Sequence, residues 1–166
     1  MLRPTDRGAA PDEARLALLL SDVLRLLRQD FAVRAAGTAL TPALWRLLFH
    51  VERNEGGRQT DFADRLEVTP VTVGRMIDRL EKQQLVRRVA DPADRRASRV
   101  YLGRRAAPML DRLHEIARGT NDRASFGLEP VALEALLVTL ARVRANLQDP
   151  RLAPQEPRRA GGDDGR

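Results

Sequence analysis

The stretch Thr60–Leu102, TDFADRLEVTPVTVGRMIDRLEKQQLVRRVADPADRRASRVYL, decides the fold. Phe62, Ala63 and Leu66 share one side of a short helix that Thr60 is placed to cap. Glu67 and Val68 make a brief turn, and Thr69-Pro70 is a cap followed by a first-turn proline. In the next helix Val73, Met76, Ile77 and Leu80 recur at i, i+3, i+4 and i+7, the pattern of a buried face. Thr69, Val71, Thr72, Arg75 and Arg79 are then left on the opposite side. Two short β-prone runs follow, Leu85–Val89 and Arg99–Leu102. Between them Asp91-Pro92-Ala93-Asp94 places Asp and Pro where a type I turn prefers them, with Arg95 and Arg96 next in line. Helix, turn, helix and basic hairpin, in that order, describe a winged helix-turn-helix.

Working outward, Thr41-Pro42 starts a helix whose buried stripe is Leu44, Leu47, Leu48 and Val51, with Trp45 and Phe49 on an adjacent face. Asn54 to Gly57 closes it, and a short extended segment fits Arg58 and Gln59. Before it, a helix beginning near Pro11 carries Leu16, Leu19, Leu20, Val23, Leu27 and Phe31, with Leu18, Leu24 and Leu26 widening the stripe. A helix apolar over so much of its girth needs more than one neighbour, which points to a partner subunit. After the hairpin, Met109, Leu110, Leu113 and Ile116 mark a long helix with Pro108 in its first turn and Gly127 as its end point. Leu133, Leu136, Leu137, Leu140, Val143 and Leu147 mark a last helix from Pro130 that Pro150 stops. The expected class is mainly α with a small β wing. Its organisation is a flexible arm (1–10), an N-terminal dimerisation helix (11–37), a winged helix-turn-helix (38–103), C-terminal dimerisation helices (104–149) and a disordered Pro/Gly-rich tail (150–166).

Charge gives the first functional clue. The 166 residues carry a formal net charge of +6, and the stretch Arg75–Arg105 alone holds ten basic and four acidic residues, so it accounts for the whole excess. Lys82 is the only lysine, so phosphate contacts would come from guanidinium forks. Concentrated on a helix-turn-helix, this charge points to double-stranded DNA, with a solvated basic face as the plainer alternative. Thr69, Pro70, Val71, Thr72, Arg75 and Arg79 are the candidate contacts from the second helix, for base edges and for phosphates. Arg75 has a rival use, an ion pair with Asp78 or Glu81 on its own helix. Arg95 and Arg96 are candidate contacts from the hairpin, since an exposed turn has no structural need for consecutive arginines.

The same residues limit other classes. No cysteine is present, which removes disulfides, cysteine zinc sites and thiol redox sensing. No stretch reads as a leader or a membrane span, so no membrane partner is expected and the cytoplasm is the default location. No nucleotide-binding glycine loop, G-x-S-x-G or nucleophilic thiol is found, so the expectation is a non-enzyme without a cofactor. His50 and His114 lack metal-like spacing with acids, so no metal site is expected.

The residues LTPALWRLL (Leu40–Leu48), TPVTVGRMIDRLE (Thr69–Glu81), LVRR (Leu85–Arg88) and DPADRRASRVYL (Asp91–Leu102) resemble the MarR family of bacterial transcriptional regulators, most closely its SlyA-like branch. The resemblance implies a homodimer with first and last helices intertwined, two winged domains on a palindrome, and repression more readily than activation. It implies that Arg96 enters the minor groove, that Asp94 helps fix the wing, and that Arg75 lies on the recognition helix. It also implies a small-molecule effector, aromatic or lipophilic, between the dimerising helices and the DNA-binding lobe. Phe31, Trp45 and His50 are the candidate lining residues, with ordinary core packing as the rival use of the tryptophan. One departure is Leu102-Gly103-Arg104-Arg105, where many relatives have a helix-capping Thr after the leucine. It leaves the start of the next helix open and offers Arg104 and Arg105 as added phosphate contacts. Two other readings stand beside an operator-specific regulator. One is an architectural or anti-silencing protein coating A·T-rich DNA without ligand control; the other is a winged-helix module that binds protein.

Overall fold

The computed structural model describes residues 12–152, without the side chains of residues 12–14, 95 and 96. The expected arm at 1–10 and the tail beyond Leu152 lie outside the described residues. The described residues fall into two compact units, divided between Ala124 and Ser125.

The first unit holds five helices and one small sheet: α1 (Asp12–Arg34), α2 (Pro42–Arg53), β1 (Gly57–Arg58), α3 (Gln59–Leu66), α4 (Pro70–Lys82), β2 (Val86–Asp91), β3 (Asp94–Leu102) and α5 (Ala106–Ala124). This is the expected mainly α architecture with a β wing. Its core is built on the stripes that the sequence periodicity marked on α2, α3 and α4, whereas of the α1 stripe only Phe31 is buried. Leu47, Leu48 and Val51 of α2, Phe62 of α3, and Val73, Ile77 and Leu80 of α4 are fully enclosed, with Val100 of β3 and Leu113 of α5. The core is aliphatic apart from Phe62 and the pair Phe31 and Trp45 at one end. Removing one such side chain, as in Leu47→Ala, costs about 2–5 kcal/mol in comparable cores.

Strand order is β1-β3-β2, all antiparallel. Gly57 faces Val100 and Arg58 faces Arg99 on one side of β3. On the other side Val86 pairs with Leu102, Arg88 with Val100 and Ala90 with Ser98, but the next β2 residue, Asp91, pairs with Asp94. One step along β2 therefore matches four along β3, so residues 95–97 form a bulge between those two pairs.

Several element ends differ from the sequence reading. The cap of α3 is Arg58 rather than Thr60, because Asp61 Oδ2 accepts the Arg58 backbone N–H at 2.8 Å and starts the helix at Gln59. The strands run longer than the β-prone cores: β2 continues to Asp91, which is buried although the alternation of inward and outward residues breaks at Ala90. Helix α5 stops at Ala124, short of Gly127, and α1 passes into a 3-10 turn at Ala35–Gly37. Thr41 precedes α2 as expected but makes no side-chain cap bond.

Gly103 resolves the departure at the start of α5. A Cβ there would lie 2.2 Å from the Gln84 carbonyl oxygen, so only glycine lets β3 leave the sheet so close to the α4–β2 turn. The next amides satisfy the helix start without a threonine: Arg105 N–H donates to Gln84 O at 3.1 Å and Ala106 N–H to Gly103 O at 3.0 Å.

The second unit contains α6 (Pro130–Gln148), in which no side chain is buried. Residues 150–152 of the expected tail are described. Pro150–Leu152 form a 3-10 turn, held because the Asp149 carboxylate accepts the Arg151 backbone N–H at 2.9 Å and its guanidinium at 2.7 Å.

Candidate nucleic-acid interface

Helix α4 begins where Thr69 ends an extended approach. Its Oγ1 accepts the Thr72 backbone N–H at 3.2 Å, and the two hydroxyls lie 2.9 Å apart. Pro70 fills the first position, where no N–H is needed. With Val73, Met76, Ile77 and Leu80 inward, Thr69, Pro70, Val71, Thr72, Arg75 and Arg79 are all exposed, Val71 by 65%. The six helix residues named from sequence thus lie together on the outer side of one element. Gln59 was missed. Its Nε2 donates to the Pro70 carbonyl at 2.7 Å and ties α3 to the start of α4 from eleven positions away.

The charges on α4 are sorted by Arg88 of β2. Its guanidinium donates to Asp78 Oδ1 and Glu81 Oε2, both at 2.6 Å, and to the Gly74 carbonyl at 3.2 Å, while its backbone N–H donates to Glu81 Oε1 at 3.1 Å. The two acids offered as rival partners for Arg75 are therefore engaged elsewhere. Among the described residues no acid pairs with Arg75 or Arg79. Arg88 itself belongs to the scaffold and not to the free basic face. Other arginines of the basic stretch are also engaged: Arg99 with the wing, Arg104 with Gln84 Oε1 at 3.0 Å, and Arg87 over the Tyr101 ring at 4.9 Å.

At the wing tip the buried acid is Asp91. Its side chain is fully enclosed; Oδ2 accepts from Arg58 Nη2 at 2.8 Å and Nε at 3.1 Å and pairs with Arg99 Nε at 3.2 Å, while Oδ1 accepts the Ala93 N–H at 3.0 Å. The Ala93 amide, followed by the two guanidiniums, holds the Asp91 carboxyl below the usual carboxylate range against the opposing effect of burial. Hydrogen bonding to Asp91 likewise pushes Arg58 up, with a smaller contribution from the charge of Asp94. Arg99 also donates to the Gly56 carbonyl at 3.0 Å. Asp94 opens β3 and is exposed. The side chains of Arg95 and Arg96 lie outside the described residues; their backbone lies in the bulge of β3.

The candidate effector residues separate. Phe31 and Trp45 meet with ring centroids 4.2 Å apart, and Phe49 stands edge-on to both at 6.1 Å. Phe31 and Trp45 border a cavity of about 160 Å³ lined also by Leu27, Arg28, Ala117, Thr120 and Asn121. Among the described residues nothing accepts a hydrogen bond from the buried indole N–H of Trp45. His50 does not line this cavity. Its pKa is lowered by burial first and then by Arg46, Arg65 and Arg53, which favours the neutral ring. The other histidine, His114, lies 2.8 Å from Glu52 Oε1, a link from α5 to α2 that sequence spacing does not reveal. Among the described residues no group of three or more acids and histidines could hold a metal ion, and no helix is long and apolar enough to cross a membrane.

Residues 40–98 match the MarR family. Among solved structures, a MarR-family transcriptional regulator from Silicibacter pomeroyi is 28% identical, with a TM-score of 0.69 over 81% of this chain and 91% of that one. The transcriptional repressor CouR, solved bound to a 23-mer DNA duplex, is 28% identical, with a TM-score of 0.66 over 78% of this chain and 92% of its own. The transcriptional regulator SlyA, 24% identical with a TM-score of 0.68 over 80% and 93%, shares the fold.

Proposed function

We propose, from the match of residues 40–98 to the MarR family, that the chain is a homodimeric repressor of that family that binds a palindromic operator. Helix α4 enters the major groove, where Val71 and Thr72 meet base edges and thymine methyls and Arg75 reaches a base or its phosphate. Arg79 and the exposed amides around Thr69 and Pro70 hold the backbone. Arg95 contacts phosphate, and Arg96 reads a narrow, A·T-rich minor groove beside the site, with Asp94 steadying the tip.

The observation that carries this reading is the outer face of α4. Arg75 and Arg79 are exposed and without acid partners among the described residues, while Arg88 engages the two acids of the same helix. A face arranged only for solubility has no reason to sequester its acids and leave its arginines open.

Dimerisation is supported by exposed apolar side chains on two helices, Leu16, Leu19, Val23 and Leu26 of α1 and Leu136, Leu137 and Leu147 of α6. Release by a small aromatic or lipophilic ligand is supported by the cavity beside Phe31 and Trp45, with its unengaged indole N–H. A coupling of about 1–3 kcal/mol between ligand and DNA would suffice. The expected location is the cytoplasm.

The test is an anisotropy titration of the purified protein against the intergenic DNA upstream of its own gene and against a scrambled duplex, at several salt concentrations. The proposal expects tight, strongly salt-dependent binding to the first and a preference of about 10³-fold or more over the second. Equal, weak binding to both favours the architectural reading, and no binding to either removes the DNA-binding one.

A further inference from the structure

We propose that Asp91 is the positioning residue of the wing: anchored between Arg58 and Arg99, it closes the bulge that carries Arg95 and Arg96 and so fixes where those arginines are presented to DNA. The inference rests on the DNA-binding reading above.

Three observations lead to it. The first is register. Asp91 pairs with Asp94 and the preceding residue, Ala90, pairs with Ser98, so Asp91 stands at the outer closing pair of the bulge formed by residues 95–97. Bulges bend a strand and re-aim what it carries, and their direction depends on what holds the closing pairs.

The second is the anchor. A hairpin tip ordinarily ends in solvent, yet the Asp91 carboxylate is completely enclosed and its oxygens are bonded to two guanidiniums and the Ala93 amide. Arg58 comes from β1 and Arg99 from β3, so one carboxylate joins all three strands of the sheet at the end nearest the tip.

The third is continuity with the helix-turn-helix. The Arg58 backbone N–H is the group that Asp61 caps at the start of α3. Gln59, the next residue, holds the Pro70 carbonyl at the start of α4. A path of hydrogen bonds, bridged by the peptide link between Arg58 and Gln59, thus runs from Asp91 at the bulge to the first turn of α4. A wing hinged only at its β-turn would sample many directions, and each contact it made would carry an ordering cost. The anchor sets that direction before DNA arrives.

The test is a double-mutant cycle on DNA affinity, with the upstream intergenic duplex as probe and Asp91→Asn and Arg96→Ala as the two changes. Asparagine keeps the oxygen that accepts the Ala93 N–H and removes the charge that holds Arg58 and Arg99. Each single variant is expected to lose about tenfold in affinity, and the double variant little more than either, since Arg96 contributes only when the bulge is held. Hydroxyl-radical cleavage should show loss of minor-groove protection beside the site in both single variants, with the major-groove footprint of α4 retained. Arg58→Gln leaves Asp91 with one guanidinium and is expected to lose less, again without adding to Arg96→Ala; it provides the same cycle if Asp91→Asn does not fold. Wild-type affinity in Asp91→Asn, or losses that multiply with Arg96→Ala, would overturn the inference while leaving the DNA-binding reading intact. Failure of the wild-type chain to prefer the upstream duplex would overturn both.

Discussion

Asp78 and Glu81 would stand unpaired on α4 if Arg88 did not bond to both. Arg75 and Arg88 therefore have opposite roles although both count toward the same basic stretch. Arg75→Ala should weaken specific DNA binding by about 1–3 kcal/mol and relax base preference at one position, with thermal stability unchanged within about 0.5 kcal/mol. Arg88→Ala should lower both affinity and melting temperature, because it frees two acids to repel phosphate and unties β2 from α4. A matched set of binding and melting curves separates the two; equal effects from both variants would contradict the division.

Asp30 gives a prediction in acid. Its carboxyl is held at about 2, against an ordinary 3.8, by hydrogen bonds from Arg34 first and then, across to α5, from Thr120 and Arg123. The folded-state value is depressed, so its stabilisation is complete above the ordinary value and is lost as pH falls from about 4 toward 2. Asp30→Asn should therefore show a shallower fall in urea midpoint over that window than the wild type. An unchanged acid slope would mean that these bonds contribute nothing to folding.

At the scale of elements, the helices were legible because their buried faces repeat at helical spacing over local sequence. Val73, Met76, Ile77 and Leu80 are inward, as their spacing requires. The wing was legible as a hairpin but not as an anchored one, because Asp91 reads as an ordinary turn aspartate until Arg58, thirty-three positions earlier, is seen to hold it. Arg88 and Gln59 were hidden for the same reason: their partners lie ten and eleven positions away on other elements. The cap of α3 was misplaced because threonine is a good cap in general, whereas here Asp61 reaches back to the Arg58 amide. Gly103 looked like a missing cap and proved to be a point of close approach. Gly103→Ala drives a Cβ into backbone, which cannot rotate away, and should cost at least the ~1–3 kcal/mol of ordinary overpacking. A denaturation midpoint equal to that of the wild type would show that the α4–β2 turn and the start of α5 can separate freely.

For the whole molecule, the exposed apolar side chains of α1 and α6 are the feature that one copy of the chain leaves unexplained. On α1, Leu18 and Leu19 are 62% and 61% exposed, and on α6 Leu137 is 54% exposed. Several exposed leucines on one helix mark an interaction surface. If the interface is a second copy, Leu19→Glu should shift the sedimenting species from dimer to monomer at micromolar concentration and weaken palindrome binding far more than half-site binding, since the second lobe is no longer tethered. A variant that sediments as the wild type does would contradict the use of this face in dimerisation.

In the proposed complex two copies of α4 and its wing read one palindrome. The most direct measurement is a hydroxyl-radical footprint of the wild-type protein on its own upstream intergenic DNA. The expected result is a single symmetric protected region with two major-groove windows about one helical turn apart and a protected minor groove outside each. Diffuse protection along A·T-rich sequence, or a single asymmetric window, would contradict it.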